Sequence, residues 1–256
     1  MNKPILTAIL LIVFFCCNSC RRDTVAQAHT SLLTVTMLKG NTATASYAYD
    51  RLGRIREMKE KNEKFLYEYK DRMVVIRQFT DEKSEPLAIY RGRLDEKGCL
   101  AWLEGTRQYG NDPLAYRFSY RFDYDEQKQL RRLYYIRDNG KSRSSINHTY
   151  FWNNGNMVRE VITHDGVLSR VRTYKYDLSR ENKMAVAVKT TLDWIDRLPG
   201  KATNNLPLGY TDKDAGGEVI WQTATSWQLD RQGYPATLTT TNLLSGQADR
   251  VHYEFR

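Results

Sequence analysis

The residues able to do chemistry in this chain do not fall at the spacings that chemistry uses. Its four histidines, His29, His148, His164 and His252, are scattered over 256 residues, and no HExxH or paired Cys/His spacing sets two of them as metal ligands. His164-Asp165 sits in THDGV, a turn-forming sequence. Asp212, Asp214 and Glu218 in TDKDAGGE approximate a calcium loop, but ligands and glycine are out of register, so a solvated loop is expected. GxSxG and SxxK motifs are absent, as are the P-loop and GxGxxG. Sugar cleavage needs two carboxylates facing each other; among 30 acidic residues the sequence selects no pair. The expectation is a non-catalytic protein with no cofactor and no metal. Trp102, Trp152, Trp221 and Trp227 are the candidates for stacking on a ligand such as a sugar, against the commoner role of strand aromatics as core.

Those tryptophans are carried by segments with the period of a β-strand. From Tyr116 to Tyr124, Tyr116, Phe118, Tyr120, Phe122 and Tyr124 alternate with Arg117, Ser119, Arg121 and Asp123. Successive side chains of a strand point to opposite faces, so one face carries rings and the other charge. Asp125 to Gln129 is polar, and Leu130 to Ile136 returns as the second strand of a hairpin. Weaker versions of this unit surround Asp50, Asp71, Asp95, Asn153, Asp177 and Asp230, about one per 20–30 residues with one gap of roughly double that between Asp177 and Asp230, which marks an internal repeat. Leu32 to Leu38 and Thr42 to Tyr49 form another pair, joined at Lys39-Gly40-Asn41. A single hairpin cannot bury its apolar face, so the hairpins are expected to join edge to edge in one antiparallel sheet. The section from about 190 to 217 breaks the pattern. A short helix is expected at 191–198, ended by Pro199-Gly200, then a loop able to cover an edge or close the mouth of a barrel.

Residues 1–19 read as a signal segment. Lys3 precedes an apolar run, Ile5 to Phe15, that is short for a membrane span. Ser19 before Cys20 is similar to a bacterial lipoprotein processing site, with Cys17 where a leucine or valine is usual. Cys20 is thus the expected lipidation site and the membrane anchor. Residues 20–31 form a tether and 32–256 a single β domain. The mature chain would keep only Cys20 and Cys99, so no internal disulfide is available. Cys99 lies in KGCLAWL, an apolar setting that predicts a buried, inert thiol. The net charge of +9 is compatible with acidic lipids or glycans. The arginines alternate along strands without clustering on one helix, and nucleic-acid binding is not expected. Arg21-Arg22-Asp23 lacks the acidic run associated with surface display, which favours the periplasmic face of the outer membrane.

YAYDRLGRI resembles the tyrosine-aspartate repeat of bacterial surface and toxin-shell proteins. A wider resemblance, in YAYDRLGRIREM, TYFWNNGNMVREV, Asn204 to Pro207 (NNLP) and LDRQGYPATL, is to Bacteroidota lipoproteins of unknown function with a porin-like fold. It implies a large, strongly curved antiparallel meander, closed or nearly closed as a barrel, and no catalytic residues. The units KDRM and DEQKQL depart from the pattern in lacking the turn glycine. The function expected is a lipid-anchored envelope module that is structural or binds a glycan or an envelope protein. The alternatives are a lipid carrier with an apolar cavity, an unrecognised hydrolase, and a membrane-spanning barrel.

Overall fold

A computed structural model describes residues 34–39, 42–52, 54–60, 62–80, 84–108, 115–183 and 200–255. The expected signal segment, Cys20, the tether, His29 and the helix at 191–198 lie outside them. The described residues form β1 (Thr34–Lys39), β2 (Thr42–Tyr49), β3 (Ile55–Glu60), β4 (Glu63–Lys70), β5 (Met73–Thr80), β6 (Ala88–Leu94), β7 (Leu100–Gln108) and β8 (Ala115–Tyr124). They continue with β9 (Leu130–Asp138), β10 (Arg143–Asn153), β11 (Asn156–His164), β12 (Val167–Glu181), β13 (Asn205–Asp214), β14 (Val219–Leu229), β15 (Pro235–Asn242) and β16 (Ala248–Phe255). Each strand pairs antiparallel with its sequence neighbours, and β1 pairs with β16, so the all-β meander is a closed barrel.

The alternating rings of β8 face inward. Phe118, Tyr120 and Phe122 are buried, while Arg117, Arg121 and Asp123 are exposed. The same alternation runs through β4 to β6, where Phe65, Tyr67, Val74, Ile76, Ala88 and Tyr90 are buried. An open sixteen-stranded barrel would enclose a water-filled channel. Here Met58, Val74, Ile76, Leu100 and Leu103 have no exposed surface, and the inner residues of β3 to β12 form one apolar cluster. That side of the barrel is filled by its own side chains. Gly105 shows how close the fit is. It faces Tyr90 across β6–β7, and a Cβ there would lie 2.4 Å from the Tyr90 ring.

The turns explain the repeat. Every connection from an even strand to the next odd one lies at the same end of the barrel, and the repeat's Asp50, Asp71, Asp95, Asp125 and Asp230 sit there. The Oδ1 atoms of Asp50, Asp95, Asp125 and Asp230 each accept two backbone N–H groups, from the second and fourth residues onward, at 2.8–3.0 Å. One short side chain thus satisfies the donors that the reversal frees. The residue three beyond the aspartate has positive φ, at Gly98 (81°), Gly233 (84°) and Lys128 (64°). Lys128 takes the glycine's place in DEQKQL. In KDRM the turn is two residues long, and Asp71 supplies the positive φ of 54°.

Five inward aromatic groups at this end serve the backbone. The hydroxyls of Tyr69, Tyr124 and Tyr176 donate to the carbonyls of Ile55, Leu100 and Met157, at 2.9, 2.9 and 2.6 Å. The indole nitrogens of Trp152 and Trp227 donate to Leu130 and Pro207, at 2.8 and 2.7 Å. Each accepting residue immediately precedes the extra residue of a β-bulge, where the ladder register shifts. A bulge takes a carbonyl out of the ladder, and the ring at the end of the next strand supplies a donor.

The sequence expectation is corrected in two places. The reversal expected at Asp177 is a bulge inside β12, which runs on to Glu181 with Asp177 opposite Leu206. The loop expected up to Gly217 ends at Asn204, because Asn205–Asp214 is β13. Pro207 and Gly209 disguise this strand. Leu208 is bulged between them, which lets a proline sit within the ladder. Gly209, at φ 129°, lies so close to β14 that a Cβ would meet the Thr223 carbonyl oxygen at 2.1 Å.

Candidate functional site

The chemistry-bearing side chains converge inside the barrel, on neighbouring positions of β10 to β13. In the ladder, Tyr150 faces Glu160, Glu160 faces Arg172, and Arg172 faces Asp212. Arg172 binds Asp212 through two hydrogen bonds, Nε to Oδ1 at 2.6 Å and Nη2 to Oδ2 at 2.8 Å. Its Nη1 lies 3.8 Å from Glu160 Oε2. His148 Nδ1 is 2.7 Å from Glu160 Oε1, and the Tyr174 hydroxyl donates to Oε2 at 3.0 Å. Arg170 adds a bond to Asp212 at 3.2 Å, and the Tyr210 ring lies 4.2 Å from the Arg172 guanidinium carbon. His148, Glu160 and Asp212 are all buried.

Glu160 is held as an anion. Burial alone would raise the pKa of Glu160. The hydrogen bond and charge of His148, the charge of Arg172 and the Tyr174 hydroxyl outweigh it and hold the group below its ordinary value. Burial likewise opposes the charge on Arg172, yet the hydrogen bonds to Asp212 and the surrounding negative charge raise its pKa. Burial, followed by the Glu160 charge, pushes the Tyr150 and Tyr174 hydroxyls well above the ordinary tyrosine range. Among the described residues the Tyr150 hydroxyl has no hydrogen-bond partner. The arrangement is a charge-compensated clasp across four strands. Glu160 and Asp212 are buried and share Arg172 between them.

The four tryptophans are dispersed. Trp227 is 8% exposed and Trp152 half-buried, each inside the barrel with its indole nitrogen on a backbone carbonyl. Trp221 is 42% exposed at the start of β14, opposite Asp212. Trp102 is half-buried on the outer wall, 5.7 Å from the Arg121 guanidinium carbon. The fold brings none of them side by side. The faint calcium pattern separates, too: Asp212 joins the clasp, while Asp214 Oδ1 accepts the Glu218 N–H in the β13–β14 turn. Among the described residues no group of three His, Cys, Asp or Glu side chains converges as a metal site. His252 pairs with Thr237 at 3.0 Å. Cys99 is buried, and burial followed by the Asp95 charge raises its thiol pKa.

Sequence reading missed the clasp. On β12 its signal was present, since Arg172 shares the parity of Tyr174 and Tyr176. On β11 the bulge at Val158 reverses the parity between Met157 and Glu160, and plain alternation puts Glu160 on the wrong face. A polar pocket of about 200 Å³ lies at the end away from the aspartate turns, lined by Tyr116, Arg137, Ser142 and Ser144.

No family model matches the chain, and no curated protein does. Among solved structures it is similar to a porin-like protein from Bacteroides uniformis, with a TM-score of 0.64 and 14% identity over 89% of this chain and 97% of that one. It is also similar to a porin-like protein from Bacteroides vulgatus, with a TM-score of 0.62 and 15% identity over 88% and 98% of the two chains. At that identity the likeness is one of fold, and the chain has the porin-like fold of these Bacteroides proteins.

Proposed function

We propose that the chain is a non-catalytic module of the cell envelope, held at the outer membrane by lipid on Cys20, with the barrel itself standing in water as a structural or binding scaffold. The observation that carries this reading is the direction of the alternation. A barrel that crosses a bilayer turns its apolar face outward, and an outward arginine at the midplane costs about 2–4 kcal/mol. This barrel turns its rings inward and sets Arg117, Arg121 and Asp123 on the outer wall of β8. With the strands unsuited to lipid, attachment falls to the acyl chain. Thr34 opens β1 at the aspartate-turn end of the barrel, so that end would face the membrane on a tether of at most about 50 Å.

The filled interior counts against a carrier that cups an acyl chain, and Glu160 and Asp212, buried and ion-paired with Arg172, lend no support to hydrolysis. The short basic start of the tether, Arg21-Arg22, favours the periplasmic face. Membrane fractionation of the full chain and of Cys20→Ala tests the proposal. The wild type is expected in the detergent-soluble membrane fraction carrying an acyl mass, and the variant in the soluble fraction. A Cys20→Ala protein that stays in the membrane and resists carbonate extraction overturns it.

A further inference from the structure

The outer wall holds one row that neither the aromatic core nor the ionic clasp uses. Cross-strand partners put Met73 opposite Arg93, Arg93 opposite Trp102, Trp102 opposite Arg121 and Arg121 opposite Tyr134. The five residues therefore form a straight line over β5 to β9 in which arginine alternates with an apolar or aromatic group. Tyr134 is 40% and Met73 38% exposed, Trp102 is half-buried, and both arginines are exposed. Neighbouring strands lie about 4.8 Å apart, so Trp102 and Tyr134 stand roughly 9.6 Å apart with Arg121 between them.

We propose that this row is a binding platform for a linear, carboxylate-bearing polysaccharide. The inference rests on the reading of the protein as an envelope scaffold and names its ligand class. The Trp102–Tyr134 separation matches the length of a disaccharide unit, so alternate sugar faces would stack on the rings. Arg93, on the other side of Trp102, suits a planar carboxylate, which a guanidinium binds through paired N–H donors. Charge favours an acidic glycan over a neutral one. Arg121 is neutralised by Glu104 at 2.9 Å. Arg93 is exposed and makes no ion pair among the described residues, whereas Arg91 and Arg132 in the adjoining rows stand opposite Glu104 and Asp123. Exposed positive charge at Arg93, set between Met73 and Trp102, fits an extended anionic chain lying across the strands. The row starts at Met73, beside the Asp71 turn at the end proposed to face the membrane, and climbs the outer wall away from it to Tyr134 in the middle of β9.

The test is titration of the acylated full chain in detergent with polygalacturonate, hyaluronate and chondroitin sulfate, followed by calorimetry and tryptophan fluorescence. At least one is expected to bind, with affinity falling as salt rises. Trp102→Ala and Tyr134→Ala should each weaken it tenfold or more, Arg93→Gln should weaken it and flatten the salt dependence, and Trp221→Ala should leave it unchanged. Near-UV dichroism and Tm establish that each variant is folded. Failure to bind all three polymers, equal binding of neutral dextran, equal competition by single-stranded DNA, or wild-type affinity in folded Trp102→Ala and Tyr134→Ala each overturns the proposal. The Cys20→Ala fractionation is independent. An anchored protein that binds no acidic polymer removes the ligand assignment alone, and a protein found unanchored removes the envelope reading.

Discussion

The Trp152 indole nitrogen donates to the Leu130 carbonyl oxygen at 2.8 Å, across a bulge whose extra residue is Arg131. The relationship links a ring at the end of β10 to the start of β9, and analogous bonds recur around one end of the barrel. Each bulge bends the wall, and each ring absorbs the backbone group that bending exposes. The tyrosines and tryptophans before the turns are therefore hydrogen-bond donors as much as apolar filling.

Trp152→Phe tests this role. It keeps an aromatic ring but strands the Leu130 carbonyl, at a cost on the order of 1–3 kcal/mol, and the smaller ring adds to the loss. Trp227→Phe should behave alike, with Pro207 left unpaired. Urea denaturation measures both. A midpoint equal to that of the wild type would show that the donors contribute nothing.

Arg172→Met should be among the most damaging single substitutions. It leaves Glu160 and Asp212 buried without their shared cation, at about 3–5 kcal/mol. Adding Asp212→Leu removes one of the stranded charges and should recover a good part of the loss. Equilibrium unfolding of the single and double variants gives the comparison.

The clasp also sets an acid limit. Glu160 has a folded pKa below its ordinary 4.5, so the unfolded chain binds its proton first as pH falls. Its contribution is complete above about pH 4.5 and is lost as pH drops through the folded value. Tyr150 and Tyr174 act in the opposite direction, because their folded pKa values are raised above 10. Their contribution is complete below about pH 10 and is lost as pH rises through the folded values. Tm measured across pH should fall at both ends, and Glu160→Gln should flatten the acid side.

Tyr253 gives a spectroscopic check on burial. Desolvation pushes its hydroxyl up to about 12, and an exposed tyrosine ionises near 10. Absorbance titration at alkaline pH should show a late class of tyrosines, diminished in Tyr253→Phe. A single ionisation near 10 in the folded protein would contradict the inward placement of these rings.

Lys128→Gly is expected to stabilise the barrel. Lys128 holds a φ of 64° in the turn position that Gly98 and Gly233 occupy in their hairpins. A left-handed conformation costs a residue with a side chain roughly 1–2 kcal/mol, partly offset by glycine's greater freedom in the unfolded chain. The expected gain is therefore several tenths of a kcal/mol, read as a higher denaturation midpoint.

The meander was legible because two local signals repeat, the alternation of rings with charge and the acid-marked reversal. Tyr116 to Tyr124 displays the first openly, and Asp125 shows the second even without a glycine. The sequence was opaque where the ladder slips by one residue. At Leu208 the slip hides β13, and at Val158 it conceals the inward direction of Glu160. In the β12 segment around Asp177 it mimics a turn. Alternation assumes an uninterrupted ladder, and bulges break that assumption at the places where the wall curves. The row from Met73 to Tyr134 was invisible for another reason. It runs perpendicular to the chain, and its members are brought into line only by the registers of four successive pairings.

Closure of the ring by β1 against β16 has a consequence for biogenesis. Every other strand pairs only with its neighbours in sequence, so hairpins can zip up in order along the chain. The opening segment alone must wait for the final one, and until then both ends of the unfinished wall carry dangling backbone donors and acceptors ready to recruit another copy. A chain truncated before Ala248 would keep most of its aromatic interior and leave β1 and β15 as open edges.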